Sequence, residues 1–310
     1  MQRWRCGLCG AAICRCREGC VKTARVALYR GAQKNSVGAP AVPLLQIQLL
    51  GGFELRDASG ARIGLPTRKS RLLLAYLALA AGRLQPRGRL AALFWSDRAE
   101  PQARASLRQE LHALRQALAD HEPAGLLVST AAVGLDPAAV AIDAVLLEEL
   151  SARGDEESLS RAADLYRGDL LEGLAAREAS IDDWLVAERR RLWDLAVDTL
   201  ARLLGLRMIG GAAADLAATA RRLLALEPAH EVAHRELMRV LARAGDRRAA
   251  LRQYQRCRTA LAQELGVEPE EETRRLYQEL LRHSPAADAA YPAAVPLRAR
   301  GMAPGGAASV

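Results

Sequence analysis

Between residues 145 and 282 apolar residues recur at helical spacing almost without interruption. Such a segment must bury one face of each of several helices against its neighbours, and few architectures allow that. The spacing predicts helices over 145–151, 156–166, 182–206, 212–226, 230–244, 247–265 and 270–282. Turns are expected at Arg167-Gly168, Gly210-Gly211, Glu227-Pro228, Ala244-Gly245-Asp246 and Gly266-Val267-Glu268-Pro269. The element Glu227-Pro228-x-x-Glu231 returns as Glu268-Pro269-x-x-Glu272, offset by 41 residues. Helix pairs divided by Pro, with small Ala242, Ala249, Ala250 and Ala260 at positions of close approach, suggest an irregular TPR-like solenoid.

Residues 44–140 follow a different pattern. Residues 44–50 alternate loosely and end at Gly51-Gly52. Residues 53–56, a turn at Asp57-Ala58-Ser59-Gly60 and residues 61–63 complete a small antiparallel meander. Thr67 is placed to cap a helix whose apolar positions are Leu72, Leu73, Tyr76, Leu77 and Ala80, and Gly82 ends it. Pro86 opens a second helix with Leu90, Leu93 and Phe94 on one face, and Pro101 opens a third. On the third helix Leu107, Leu111, Leu114 and Leu118 form one stripe, which must face the core. Arg104, His112, Arg108 and Arg115 form a second stripe about 80–90° round the helix, beside the core seam and facing outward. A hairpin over 126–130 and 133–135 closes the unit, so strands, three helices and a hairpin make a winged helix-turn-helix.

An outward Arg stripe on the last of three helices suits the major groove of double-stranded DNA, where Arg pairs with guanine or clamps phosphates. Arg68, Arg87 and Arg89, near helix starts, are candidate phosphate contacts. The alternative is a solvated face with a pairing such as Glu110–Arg115. The expected fold is therefore mainly α: an N-terminal α+β winged helix over 44–140, then an all-α TPR-like domain over 141–283.

Charge separates the same segments. Net charge is +7 over residues 1–43, +4 over 44–140, −4 over 141–283 and +1 over 284–310. A basic segment ahead of a larger acidic one suits a nucleic-acid reader joined to a protein-facing module. The longest run without a polar residue is 72–82, and a membrane span needs about 18 residues, so no membrane association is expected. The lysines are Lys22, Lys34 and Lys69, and none follows a glycine, which excludes a Walker A phosphate loop.

Five of six cysteines, Cys6, Cys9, Cys14, Cys16 and Cys20, crowd the first 20 residues. Cys6-x-x-Cys9 has metal-ligand spacing, but a zinc ribbon wants two such pairs about 15–20 residues apart. Residues 1–43 read as a disordered leader, or as upstream DNA translated from a misassigned start, and 284–310 as a disordered tail. His230-Glu231-Val232-Ala233-His234 matches the zincin HExxH. It lacks the metzincin Gly (Leu237 stands there), and no third His lies nearby, though Glu264 is a conceivable ligand. At the start of a solenoid helix its His and Glu are expected as ordinary surface residues, whose replacement shifts stability by about 0.5 kcal/mol or less. Cys257, between Arg256 and Arg258, is either a thiol of lowered pKa or a small core residue. Trp184, Trp193, Tyr254 and Tyr277 are expected in cores or interfaces. No enzyme activity, metal or cofactor is expected.

Two stretches resemble a known family. The order of meander, helix 68–80 with Leu-Leu-Ala-Tyr-Leu, Leu90-Ala-Ala-Leu-Phe-Trp95 and a helix ending Leu114-Arg115-Gln116-Ala117-Leu118 is similar to the OmpR-type winged helix of Streptomyces antibiotic regulatory protein (SARP) type activators. Residues 244–258, the run Leu261-Ala-Gln-Glu-Leu-Gly-Val-Glu-Pro269 and Thr273-Arg-Arg-Leu-Tyr277 resemble the bacterial transcriptional activator domain that follows it. The resemblance spans roughly 44–283. It implies a cytoplasmic, DNA-binding transcriptional activator with its recognition helix over 101–119. It also implies a loop at 96–100 facing RNA polymerase and a homodimer on repeated half-sites. One departure stands out. The family's wing often ends Gly-Tyr-x-Leu, and here only Val133-Gly134-Leu135 remains, with no Arg or Lys from Gln116 to Ala152. The alternative is a TPR-like protein-interaction scaffold with a degenerate winged helix.

Overall fold

A computed structural model of the 310-residue chain describes residues 45–119, 125–176 and 178–282. The cysteine-rich leader and the tail lie outside the described residues.

The first strand, β1 (Leu45–Gln48), turns Leu45 and Ile47 inward and leaves Gln46 and Gln48 toward water. It pairs antiparallel with β2 (Glu54–Asp57), Ile47 opposite Leu55. Gly51 and Gly52 take the tight turn between them at φ +79° and +125°, where side-chain-bearing residues are strained. The expected third strand at 61–63 does not form: only one bridge, Arg56 to Arg62, joins it to β2. The other neighbour of β1 is instead β6 (Val140–Ile142), parallel and in register Leu45 with Val140 and Ile47 with Ile142. The sheet order is β2-β1-β6.

Helix α1 (Arg68–Leu79) shares a core with this sheet and buries every residue from Leu72 to Ala78. Thr67 caps it, its hydroxyl accepting from the Ser70 amide. Then come β3 (Gln85–Pro86), α2 (Arg87–Phe94) and α3 (Glu100–Ala117). The hairpin β4 (Leu126–Val128) and β5 (Ala132–Leu135) joins β3 in a second small sheet ordered β3-β5-β4, which is the wing. A Cβ at Gly134 would come within 2.9 Å of Leu84 Cδ2, the end of an exposed side chain that can turn aside.

Among the described residues seven helices follow: α4 (Asp143–Arg153), α5 (Glu156–Leu165), α6 (Ala179–Gly210), α7 (Ala213–Leu226), α8 (Glu231–Arg243), α9 (Arg247–Glu264) and α10 (Glu271–Arg282). At 1.5 Å per residue α6 is about 48 Å long. Its first half places Ile181, Leu185 and Leu192 in a core that begins at Leu45. Its second half places Leu200, Leu203 and Leu204 in another, shared with α7 and α8. One hydrophobic core thus runs from the winged helix into the helical module, and residues 140 and 141 lie side by side within β6.

Asp143, the first residue of α4, ties the two parts. Its carboxylate accepts from the Leu49 and Leu50 amides at 2.9–3.0 Å. Burial raises its pKa despite these backbone donors. Among the described residues no helix is long and apolar enough to cross a membrane.

Candidate nucleic-acid interface

The amphipathic pattern of α3 is realised in full. Ala103, Leu107, Leu111 and Leu114 are buried, as is Leu118 just past its end. Arg104, Arg108, His112 and Arg115 are exposed. Glu110 does not pair with Arg115. Its carboxylate instead accepts from the hydroxyls of Thr67 and Ser70 at the start of α1. Arg104 pairs with Glu100 one turn earlier, an exposed contact of small net value. Among the described residues no carboxylate pairs with Arg108, His112 or Arg115.

A cleft of about 430 Å³ lies between the start of α2, the exposed face of α3 and the β4–β5 turn. Arg87, Gly88, Arg104, Arg108 and Thr130 line it. Arg87 has a structural task as well. Its Nη1 donates to the Ser129 carbonyl at 3.0 Å, and its amide donates to the Ala131 carbonyl at 2.9 Å, so it ties the wing to α2. Arg89 is exposed on α2. Arg68 lies elsewhere, its Nη1 3.4 Å from the Ala175 carbonyl of the segment before α6. The β4–β5 hairpin carries exposed Leu127 and no cation, and Leu84, just before β3, is exposed beside Arg83.

The contribution of Lys69 escaped the sequence pattern. Its ammonium pairs with Glu178 at 2.6 Å, donates to the Phe94 carbonyl at 3.0 Å and sits 4.7 Å over the Trp95 ring. It therefore fixes the turn between α2 and α3 against the segment leading into α6. A lone Lys flanked by Arg carries no periodic signal that would have marked it.

The HExxH residues correct an expectation. They are not surface residues: His234 is 4% exposed, Glu231 lies in a partly buried position, and His230 is half-buried. His230 caps α8, its Nδ1 accepting from the Ala233 amide. His234 has both nitrogens engaged, Nε2 at 2.8 Å from the Pro228 carbonyl and Nδ1 at 2.6 Å from Gln253 Nε2. A carbonyl only accepts, so Nε2 carries the proton and Nδ1 takes the Gln253 donor. Neither lone pair is free for a metal. Glu231 accepts from the Glu270 amide at 2.7 Å. Among the described residues no three His, Cys, Asp or Glu side chains are grouped to hold a metal ion. Cys257 is fully buried, and burial pushes its thiol up to about 12, which makes it a core residue.

Burial holds the pKa of both His230 and His234 below 6.5. In the unfolded chain they take up protons first as pH falls. Their contribution to stability is present above pH 6.5 and is lost as pH falls from 6.5 toward the folded values. We expect the chain to melt earlier at pH 5 than at pH 7.5. His234→Ala should lower stability by about 1–3 kcal/mol at pH 7.5, by orphaning Gln253 and the Pro228 carbonyl, and should flatten this acid slope. A calorimetric pH series on both proteins checks it, and equal slopes would assign the acid sensitivity to other groups.

A winged helix with an outward cationic face on α3, continuous with an all-helical module, is an architecture suited to a transcriptional regulator. Residues 138–281 match the family model of the bacterial transcriptional activator domain. The regulatory protein AfsR of Streptomyces coelicolor is 31% identical over 240 residues, 74% of this chain and 23% of that protein. AfsR of Streptomyces griseus is 29% identical over 222 residues. The chain thus spans less than a quarter of the length of the AfsR proteins, at 23% and 22%. The transcriptional regulatory protein MoaR1 of Mycobacterium tuberculosis is 27% identical over 285 residues, 84% of this chain and 86% of MoaR1. Among solved structures, Mycobacterium tuberculosis EmbR in complex with a low affinity phosphopeptide shares the fold at a TM-score of 0.54 and 22% identity, over 78% of this chain and 66% of that one. Residues 138–281 thus carry a bacterial transcriptional activator domain, and most of the chain is similar to transcriptional regulators, which are not an enzyme class.

Proposed function

We propose that the chain is a cytoplasmic activator that reads double-stranded DNA through α3 and recruits RNA polymerase, as a homodimer on DNA. Residues 44–140 would be the reader and 141–283 the protein-facing module. One observation carries the reading: over a fully buried Leu stripe, α3 turns Arg104, Arg108, His112 and Arg115 outward beside a cleft that also holds Arg87. Arg104, Arg108, His112 and Arg115 would meet bases or phosphates in the major groove. Arg87 and Arg89 would meet phosphates flanking it. Arg68 would do so from the start of α1. The loop at 96–100, held in place by Lys69, would face the polymerase.

The test begins by selecting bound sites from random duplexes. Arg108→Ala and Arg115→Ala should each cost about 1–3 kcal/mol of specific binding where they read a base. A phosphate-only Arg would weaken all sequences alike and lower the log–log salt slope by about 1. Leu111→Ala is the control, acting through stability because Leu111 is buried. A folded Arg108→Ala/Arg115→Ala variant that binds the selected site with parental affinity would exclude α3 as the reader. The uncharged β4–β5 hairpin with its exposed Leu127 favours the second reading, a protein-interaction scaffold, and that outcome would adopt it.

A further inference from the structure

Helices α7, α8 and α9 enclose a groove of about 330 Å³ in the activator domain. Its floor is apolar, with Leu224 from α7 and Leu237 from α8. Its two walls carry one guanidinium each, Arg221 on α7 and Arg256 on α9. Several arginines of the module are committed to carboxylates, and these two are not. Arg222, next to Arg221, binds Asp164 and the Ala163 carbonyl. Arg235 and Arg239 bind a set of glutamates. Arg221 and Arg256 are exposed and meet no carboxylate among the described residues.

A second observation points into the same groove. Gln253 lines it and is only 4% exposed. Its amide nitrogen is spent on His234 Nδ1, which leaves its carboxamide oxygen without a donor among the described residues. No buried side-chain oxygen among the described residues lacks a partner, so this oxygen keeps some contact with solvent, on a residue that lines the groove. Because His234 is held on its other side by the Pro228 carbonyl, the oxygen is fixed in place as an acceptor.

We propose that this groove docks a short acidic peptide bearing an apolar side chain. The apolar side chain covers Leu224 and Leu237, a backbone N–H donates to Gln253 Oε1, and carboxylates on either side meet Arg221 and Arg256. Charge complementarity selects the peptide's sign. The apolar floor favours peptide over nucleic acid, since a phosphodiester backbone has nothing to bury there.

The experiment is fluorescence anisotropy on the full chain with a labelled alternating Glu-Leu peptide, and with the Gln-Leu peptide as uncharged control. The Glu-Leu peptide should bind in a salt-sensitive manner and the Gln-Leu peptide far more weakly. Arg221→Gln and Arg256→Gln should each weaken binding about tenfold or more, as loss of a charge-assisted hydrogen bond does. Both residues are exposed, and a thermal melt of each variant checks its fold. Binding of the selected DNA duplex should be unchanged in both. Equal affinity for the two peptides would overturn the proposal. So would loss of duplex binding in the same variants with competition between duplex and peptide, which would assign the arginines to a nucleic-acid surface. A chain that binds the peptide and no duplex would refute the DNA-reading proposal and leave this one standing.

Discussion

Replacing Arg235 by Ala is expected to cost about 3 kcal/mol and to loosen the last three helices. The Arg235 side chain is 7% exposed. Its Nη1 reaches Glu270 at 2.8 Å, Thr273 Oγ1 at 3.1 Å and Glu231 at 3.8 Å, and its Nη2 reaches Glu272 at 3.4 Å. Removing one member of a buried ion pair costs about 3–5 kcal/mol, because the partner stays buried and uncompensated. Here the low end applies. Glu270 and Glu272 are 67% and 58% exposed and can turn to water, whereas Glu231 is 11% exposed and Thr273 is fully buried. Arg235→Lys should recover only part of the loss, since one ammonium cannot reproduce the planar fork. Denaturant melts combined with hydrogen exchange over residues 231–282 measure this. Unchanged protection in Arg235→Ala would show that packing alone holds α10.

Phe94→Ala should cost about 3–5 kcal/mol, as a fully buried Phe does, and should do so in both parts of the molecule at once. Phe94 meets Tyr76 edge-on at 5.9 Å, and Tyr76 lies 5.0 Å from Trp184 of α6. These rings sit in or against the core that runs from Leu45 to Leu192. A single cooperative transition, shifted as a whole, is the expected result. A variant in which α6 to α10 melts at the parental midpoint while the winged helix unfolds early would show two independent cores.

The helices were legible where packing obeys a local period. The stripe at Leu107, Leu111, Leu114 and Leu118 fixed the buried face of α3, and with it the outward face of Arg108 and Arg115. The Thr67 cap and the turns at Pro228 and Pro269 placed helix starts to within a residue or two. What could not be seen depends on partners distant in sequence. Val140-Ala141-Ile142 is too short to announce a strand, and its pairing with β1 is decided by the closed core. Leu170, Leu171 and Leu174 are buried in a segment without regular secondary structure, so no period marks them. His234 left a signal that the motif obscured. It stands between Ala233 and Leu237–Met238, on the buried side of α8, and the helical wheel alone assigns it to the interior.

The parallel pairing of β1 with β6 has a consequence for synthesis. The ribosome delivers Leu49 long before Asp143, 94 residues later, whose carboxylate holds the Leu49 amide. Contacts that distant must await their partner and bear the entropy of closing the loop between them. During that interval one edge of β1 is open, and an open strand edge recruits other chains. The winged helix therefore matures only once the helical module has begun to emerge, and a nascent chain stalled short of Asp143 is a candidate for chaperone capture, not a finished first half.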